Sequence, residues 1–120
     1  FADDAVLVLP DVPVSLEPCV EHRGRAAIHQ SLLAVESCLA TLHAIGAQCF
    51  DVRGDEASGI VSCLAHHVIG SPDDPKDLVW AARYDDTYIR HSDGWRFSLR
   101  RVSVDWIEIR PVRYIRGRSG

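Results

Sequence analysis

Apolar and polar residues alternate along most of the chain, and in one segment they recur instead at helical spacing. A short strand is predicted at Ala5–Leu9, and an irregular loop from Pro10 to Glu21, where Pro10, Pro13 and Pro18 interrupt any regular element. From Gly24 the period changes. Ile28, Leu32, Val35 and Leu39 are spaced four, three and four apart, which predicts one apolar stripe on an amphipathic helix of about four turns, ending near Ala40. Four long strands follow, over about 41–52, 58–69, 78–90 and 95–109. "RGDE" makes a tight turn between the first two, "GSPDDPKD" a polar loop, and Asp93-Gly94 a hairpin turn before the last. Strands this long belong to a strongly curved antiparallel sheet, whose concave side a long helix can cover. The predicted fold class is α+β: a cone-shaped, strongly curved antiparallel sheet with a long helix packed on its concave side.

Side chains alternate along a strand, so parity decides which residues share a face. On the third long strand Arg83, Asp85, Thr87 and Ile89 share one face; Tyr84, Asp86, Tyr88 and Arg90 share the other. A three-residue loop in "RGDE" sets His43 opposite His67, and a two-residue loop sets it opposite His66. Either register brings two imidazoles together from neighbouring strands. The three-residue register also groups Gly59, Val61, Cys63, Ala65 and His67 with Ile45, Ala47 and Cys49. Small residues on that face leave room for a cavity, which favours His67. Adjacent His66 and His67 point to opposite faces and have no third ligand at useful spacing, so no metal site is expected. Arg83 and Asp85 also fit a surface ion pair of small energetic value.

Composition narrows the classes further. The chain has 120 residues, 47% hydrophobic and 25% charged, as expected for one globular domain. A formal net charge of -4 predicts no bulk attraction to nucleic acid or anionic membrane. No apolar run approaches the roughly 18 residues of a membrane span. There is no signal peptide and no initiator Met, so a longer natural chain is expected. Cys19, Cys38, Cys49 and Cys63 lack CxxC spacing and read as reduced thiols of a cytoplasmic protein, with a Cys49–Cys63 cross-strand disulfide as the alternative. His22, His29 and His91 are expected in solvent, on a loop, the helix and a turn. Trp95, Phe97 and Trp106 suit core or dimer-interface positions. Arginines near the C-terminus alternate with acids, as on a solvated strand edge, and the tail glycines Gly117 and Gly120 form no phosphate loop.

Taken in order, "FADDAV", "HRGRAAI", "TLHAIG", "GDEASGIVSCLAHH", "RYDDTYIRHSDGWRF" and "RRVSVDW" resemble the SnoaL-like family. That family lies in the nuclear transport factor 2-like superfamily, and scytalone dehydratase is a relation. The resemblance covers about residues 1 to 110 and implies a single SnoaL-like domain over 1–120. It implies a cone with a pocket at its open end. Family members usually open with two helices, which this sequence lacks, together with the Tyr and Asp they carry. In the dehydratase relatives two pocket histidines stand on neighbouring strands, and these fall on His43 and His67. The next strand offers a small hydroxyl and an amide, which fall on Arg83 and Asp85 and imply an inward direction for that face.

A carboxylate facing those histidines fixes an imidazole tautomer and raises its pKa, giving an acid or base near neutrality. His43, His67 and Asp85 are therefore the expected catalytic groups. Arg83 is expected to hold an enolate oxygen, with Ile45, Cys63 and Thr87 lining the substrate. The expected function is an acid–base lyase, isomerase or cyclase acting without cofactor on a small hydrophobic, cyclic or polyketide-like ligand. Assembly as a homodimer or higher homo-oligomer through the sheet is expected too. A non-catalytic ligand-binding or dimerisation module of the same fold is the alternative. The Arg-x-Asp of "RYD" also resembles part of an epoxide hydrolase site, although that pair belongs to an earlier strand there.

Overall fold

The computed structural model describes residues 1–116, built as one six-stranded sheet with a single α-helix. The elements are β1 (Val6–Asp11), β2 (Ser15–Arg23), α1 (Arg25–Leu32), a 3-10 turn (Leu33–Ser37), β3 (Ala40–Arg53), β4 (Glu56–Ser71), β5 (Asp74–His91) and β6 (Gly94–Pro111). Strand order is β2-β1-β6-β5-β4-β3. The sheet is strongly curved, as expected, but mixed rather than antiparallel: β1 runs parallel to β6, with Val6 opposite Leu99. The tail glycines lie outside the described residues. Among those residues no helix is long and apolar enough to cross a membrane.

Three segments differ from expectation. Pro10–Glu21 is mostly strand: β1 continues to Asp11 through a register shift, and β2 begins at Ser15 after a cis Val12–Pro13 bond. A proline is tolerated there because β2 is an edge strand and its outer N–H positions need no partner. His22 consequently sits half-buried on β2 opposite Leu7, not in a loop. The helix is the second difference. α1 stops at Leu32, and the tighter 3-10 turn that follows breaks the four-three-four spacing. Ile28 is buried, while Leu32 and Val35 remain exposed. The helix thus reaches the core through one side chain at the β1–β2 end, and is shorter than its pattern implied.

The third difference decides the site. "GSPDDPKD" is a hairpin: Ser71 faces Asp74 across a two-residue Pro72–Asp73 turn. A two-residue loop pairs odd positions on β4 with even positions on β5, so Gly59 faces Asp86, Val61 faces Tyr84 and Cys63 faces Ala82. The β3–β4 hairpin also closes on two residues, with Arg53 opposite Glu56. A bulge between Ile45 and Gln48 then shifts its register, so His43 faces Ala65 and Thr41 faces His67. The two-residue register offered by the sequence therefore holds from Gln48 to Arg53, but beyond the bulge His43 meets neither His66 nor His67 as its direct partner. The core gathers on one face, where Ala2, Ala5, Leu7, Ile28, Val61, Cys63, Ala65, Ala82, Tyr84 and Val102 cluster. This is called the inner face below.

Candidate functional site

The inner face carries a polar cluster that a core strand would not. Asp86 stands on β5 with a fully buried side chain. Arg100 on β6 is its cross-strand partner. The guanidinium donates from Nε to Oδ1 at 2.8 Å and from Nη2 to Oδ2 at 2.9 Å, a two-point fork. Tyr88 donates its hydroxyl to the same Oδ2 at 2.8 Å. Arg100 lies 4.1 Å from the Tyr84 ring centroid and 4.2 Å from that of Phe97, so two aromatic faces hold its plane. Gly59 leaves the room this cluster needs: a Cβ there would stand 2.7 Å from Phe50 and 3.1 Å from Tyr88.

The tyrosines keep their protons. Burial pushes the Tyr88 hydroxyl up to about 12, and the bond to Asp86 adds to the shift. Burial also raises Tyr84, followed by its hydrogen bond with Cys63. Both hydroxyls are therefore neutral donors at pH 7.

Toward β3 the same face carries the two histidines. His43 and His67 meet edge to face with ring centroids 5.9 Å apart, and Trp80 packs on His67 at 5.4 Å. His67 Nδ1 lies 3.0 Å from the Leu78 carbonyl. A carbonyl only accepts, so Nδ1 must carry the hydrogen, and a neutral His67 presents its lone pair on Nε2. His43 has its pKa lowered from 6.5, first by desolvation and then by the positive fields of His67 and Arg100. Below pH 6.5 the unfolded chain takes up a proton that folded His43 resists. Its contribution to stability is therefore complete above 6.5 and declines as pH falls below it. An NMR titration is expected to give a His43 midpoint under 6.5, rising in His67→Ala, where the neighbouring like charge is gone. A midpoint above 6.5 would contradict this geometry.

The structure separates the residues singled out in the sequence. His43, His67, Ile45 and Cys63 share the inner face, with Ile45 opposite Cys63. Cys63 is buried and Ile45 is 48% exposed. Arg83, Asp85 and Thr87 do not join them. Arg83 faces Ser62 and Ser103 on the outer face and approaches Asp105 at 4.0 Å. Asp85 faces Ile60 and Arg101, and Thr87 faces Ser58 and Leu99. The Pro72–Asp73 turn is the cause, because it sets the parity of β5 against β4. Tyr84, Asp86 and Tyr88, expected outward, point inward for the same reason. With Arg83 and Asp85 outside, an epoxide hydrolase pair has no inner-face counterpart in "RYD".

His66 points outward and pairs through Nδ1 with Asp77 Oδ2 at 2.7 Å. Cys19, Cys49 and Cys63 are free thiols; Cys49 faces Ile60, on the face opposite to Cys63. His29 is exposed and His91 half-buried. Among the described residues no three His, Cys, Asp or Glu side chains gather as metal ligands. The inner face is open along β3, where every residue after Ala40 is exposed. A recess of about 440 Å³ lies on the outer face, between Ala44, Leu64, Ala81 and Trp106.

The sequence that forms this arrangement matches a known family. The SnoaL-like domain profile matches residues 1–101. The chain belongs to the SnoaL-like family. No curated protein matches it. Solved structures of similar fold include a provisionally assigned scytalone dehydratase from Novosphingobium aromaticivorans, with TM-score 0.72 and 22% identity, covering 100% of this chain and 77% of that one. A provisionally assigned dehydratase of the nuclear transport factor 2-like family, from Streptomyces avermitilis, gives 0.71 and 17% over 88% and 70%. A type 2 hexachlorocyclohexane dehydrochlorinase gives 0.68 and 17% over 99% and 75%. At these identities the likeness establishes the fold and nothing finer.

Proposed function

We propose that this SnoaL-like chain is a cofactor-independent acid–base lyase or isomerase for a small cyclic ligand held on the inner face. The observation that supports it most is His67, whose Nδ1 is committed to Leu78 and whose Nε2 is the free basic atom beside His43. In an elimination, Nε2 removes a proton from carbon. The C–H electrons form the new double bond, and the leaving group departs with its own pair. Negative charge building on a carbonyl oxygen or leaving group is met by Arg100 Nη1, which takes no part in the Asp86 fork. The dehydratases and the dehydrochlorinase of similar fold are named for reactions of this eliminating kind.

The test is α-hydrogen exchange into neutral ring ketones, 1-tetralone among them, followed by NMR in deuterated buffer. Exchange above the buffer rate is expected. Ligands that bind without exchange would leave a non-catalytic binding module.

The same proposal includes association through the outer face and a reducing, cytoplasmic setting for the thiols of Cys19, Cys49 and Cys63. Ala44, Leu64, Ala81 and Trp106 form one cross-strand row of alternating small and large side chains. Leu64 is 41% and Trp106 54% exposed. A second copy about a two-fold axis sets bulk against hollow, and the mixed charges of Arg83, Asp85, Arg101 and Asp105 allow like patches to meet. Trp106→Glu is expected to shift sedimentation from dimer or higher oligomer to monomer; unchanged mass would place the contact elsewhere.

A further inference from the structure

The two edges of the sheet are built differently. β2, at one edge, carries Pro18 and the charges of Glu17, Glu21 and Arg23, which discourage another strand from pairing there. β3, at the other edge, lacks these devices. From Ala40 to Phe50 it has no Pro, Asp, Glu, Lys or Arg, and Leu42, Ile45 and Phe50 are exposed. Asp51 and Arg53 follow, paired with each other at 2.9 Å. Within the sheet β3 is hydrogen-bonded to β4 alone, so its outward N–H and C=O groups are open to a further strand.

The bulge indicates which strand fits. Gly46 and Ala47 together oppose the single residue Ser62, whose Oγ accepts the Ala47 N–H at 2.8 Å. A Cβ on Gly46 would stand 2.7 Å from that same oxygen. Both bulge residues therefore belong to the outer side, and the parity of β3 switches there. Thr41, His43 and Ile45 point inward before the bulge, and Gln48, Phe50 and Val52 after it. The bulge lies at the middle of the strand, between Ala40–Ile45 and Gln48–Arg53.

We infer that β3 pairs antiparallel with β3 of a second copy, about a two-fold axis through the bulge. Gly46 then lies opposite the partner's Ala47, and Ala40 opposite the partner's Arg53, so the whole strand is matched. A second copy brings the same extra residue to the same place. The strands agree residue for residue through the bulge, and inner side meets inner side along both halves. A strand without the bulge leaves one of its two residues unopposed. On the inner side Thr41 meets the partner's Val52, and His43 the partner's Phe50. On the outer side Ala44 meets the partner's Cys49. Each contact occurs twice by symmetry, and the product is one continuous sheet with six strands from each copy. This contact is independent of the acid–base chemistry and separate from the outer-face contact proposed above. A strand edge buries little area, so it is the weaker of the two and forms at higher protein concentration.

The test is disulfide trapping in the full chain at high micromolar concentration, with copper phenanthroline as oxidant. Ala44→Cys sets a thiol opposite the partner's Cys49, at the Cα separation of about 4.4–6.8 Å that a disulfide spans. Within one copy the two positions lie about 16 Å apart along the strand, too far to bridge. A covalent dimer is expected, with peptide mapping joining position 44 to Cys49, and Cys49→Ser in the same chain is expected to abolish it. Leu42→Cys lies on the same face but out of register, and is expected to bridge Cys49 at least about 10-fold more slowly. Adding Trp106→Glu to Ala44→Cys weakens the outer-face contact, and the bridge is expected to survive. A bridge joining position 44 to itself, or one lost with Trp106→Glu, overturns edge pairing in favour of the outer-face contact. Equal rates for Ala44→Cys and Leu42→Cys overturn the register. No covalent dimer overturns self-pairing and leaves the edge to a foreign strand.

Discussion

His67→Ala is expected to lower catalysed α-hydrogen exchange into 1-tetralone by about 10²–10⁴-fold, the usual contribution of a positioned general base. The imidazole is anchored on two sides, by the Leu78 carbonyl at Nδ1 and by the Trp80 ring. These contacts fix the tautomer and the direction of Nε2 together. Alanine removes the base without touching the Asp86–Arg100 pair, so ligand affinity is expected to change much less than turnover. A fall in kcat at nearly constant KM therefore marks His67 as the base. His43→Ala has a different signature. His43 neighbours His67 without an anchoring hydrogen bond of its own, so its loss is expected chiefly to move the pH profile. His43 resists protonation in the folded protein, so this variant loses that group's own titration from the acidic limb. Equal exchange rates in wild type and His67→Ala would remove His67 from the chemistry.

The histidine pair was legible in the sequence because two errors in the expected register compensate. The β3–β4 turn is one residue shorter than a three-residue loop, and the bulge at Ile45–Gln48 shifts the register by one more in the same direction, so the two steps together restore the face while His43 pairs with Ala65, two residues from His67. No hydrophobic pattern marks that bulge, because β3 is exposed on both faces. The inner position of Asp86 was legible in principle. Pro72–Asp73 between two alternating runs is a two-residue turn, and parity from that turn turns Tyr84, Asp86 and Tyr88 inward. Reading "GSPDDPKD" as a long loop discarded this constraint. A buried aspartate looks like an error in a core strand until its partner is found, and Arg100 lies 14 residues away on the next strand. The sequence offers only a pair of adjacent arginines there, one of which, Arg101, faces solvent. The helix failed for a local reason: the apolar stripe continues past Leu32, but the backbone tightens and the stripe no longer shares one face.

Asp86→Ala is expected to be among the most damaging single changes to the fold, costing about 3–5 kcal/mol. The cost does not measure how much the ion pair stabilises the native state relative to an apolar core. It arises because Arg100, only 21% exposed, keeps its charge when its carboxylate is gone. Its pKa is raised in the intact protein: burial opposes the charge, and the bond to Asp86 more than offsets that. Removing Asp86 leaves the opposing burial uncompensated, and the Tyr88 hydroxyl loses its acceptor as well. Chemical denaturation is expected to show the full loss in the single variant. The double variant Asp86→Leu/Arg100→Met removes both charges and is expected to recover most of it, although not the oxyanion donor. A cost below about 1 kcal/mol for Asp86→Ala would mean that Arg100 swings out to water when unpaired. In that event the aromatic faces of Tyr84 and Phe97 do not hold the guanidinium, and Asp86 alone fixes the donor on which the proposed chemistry depends.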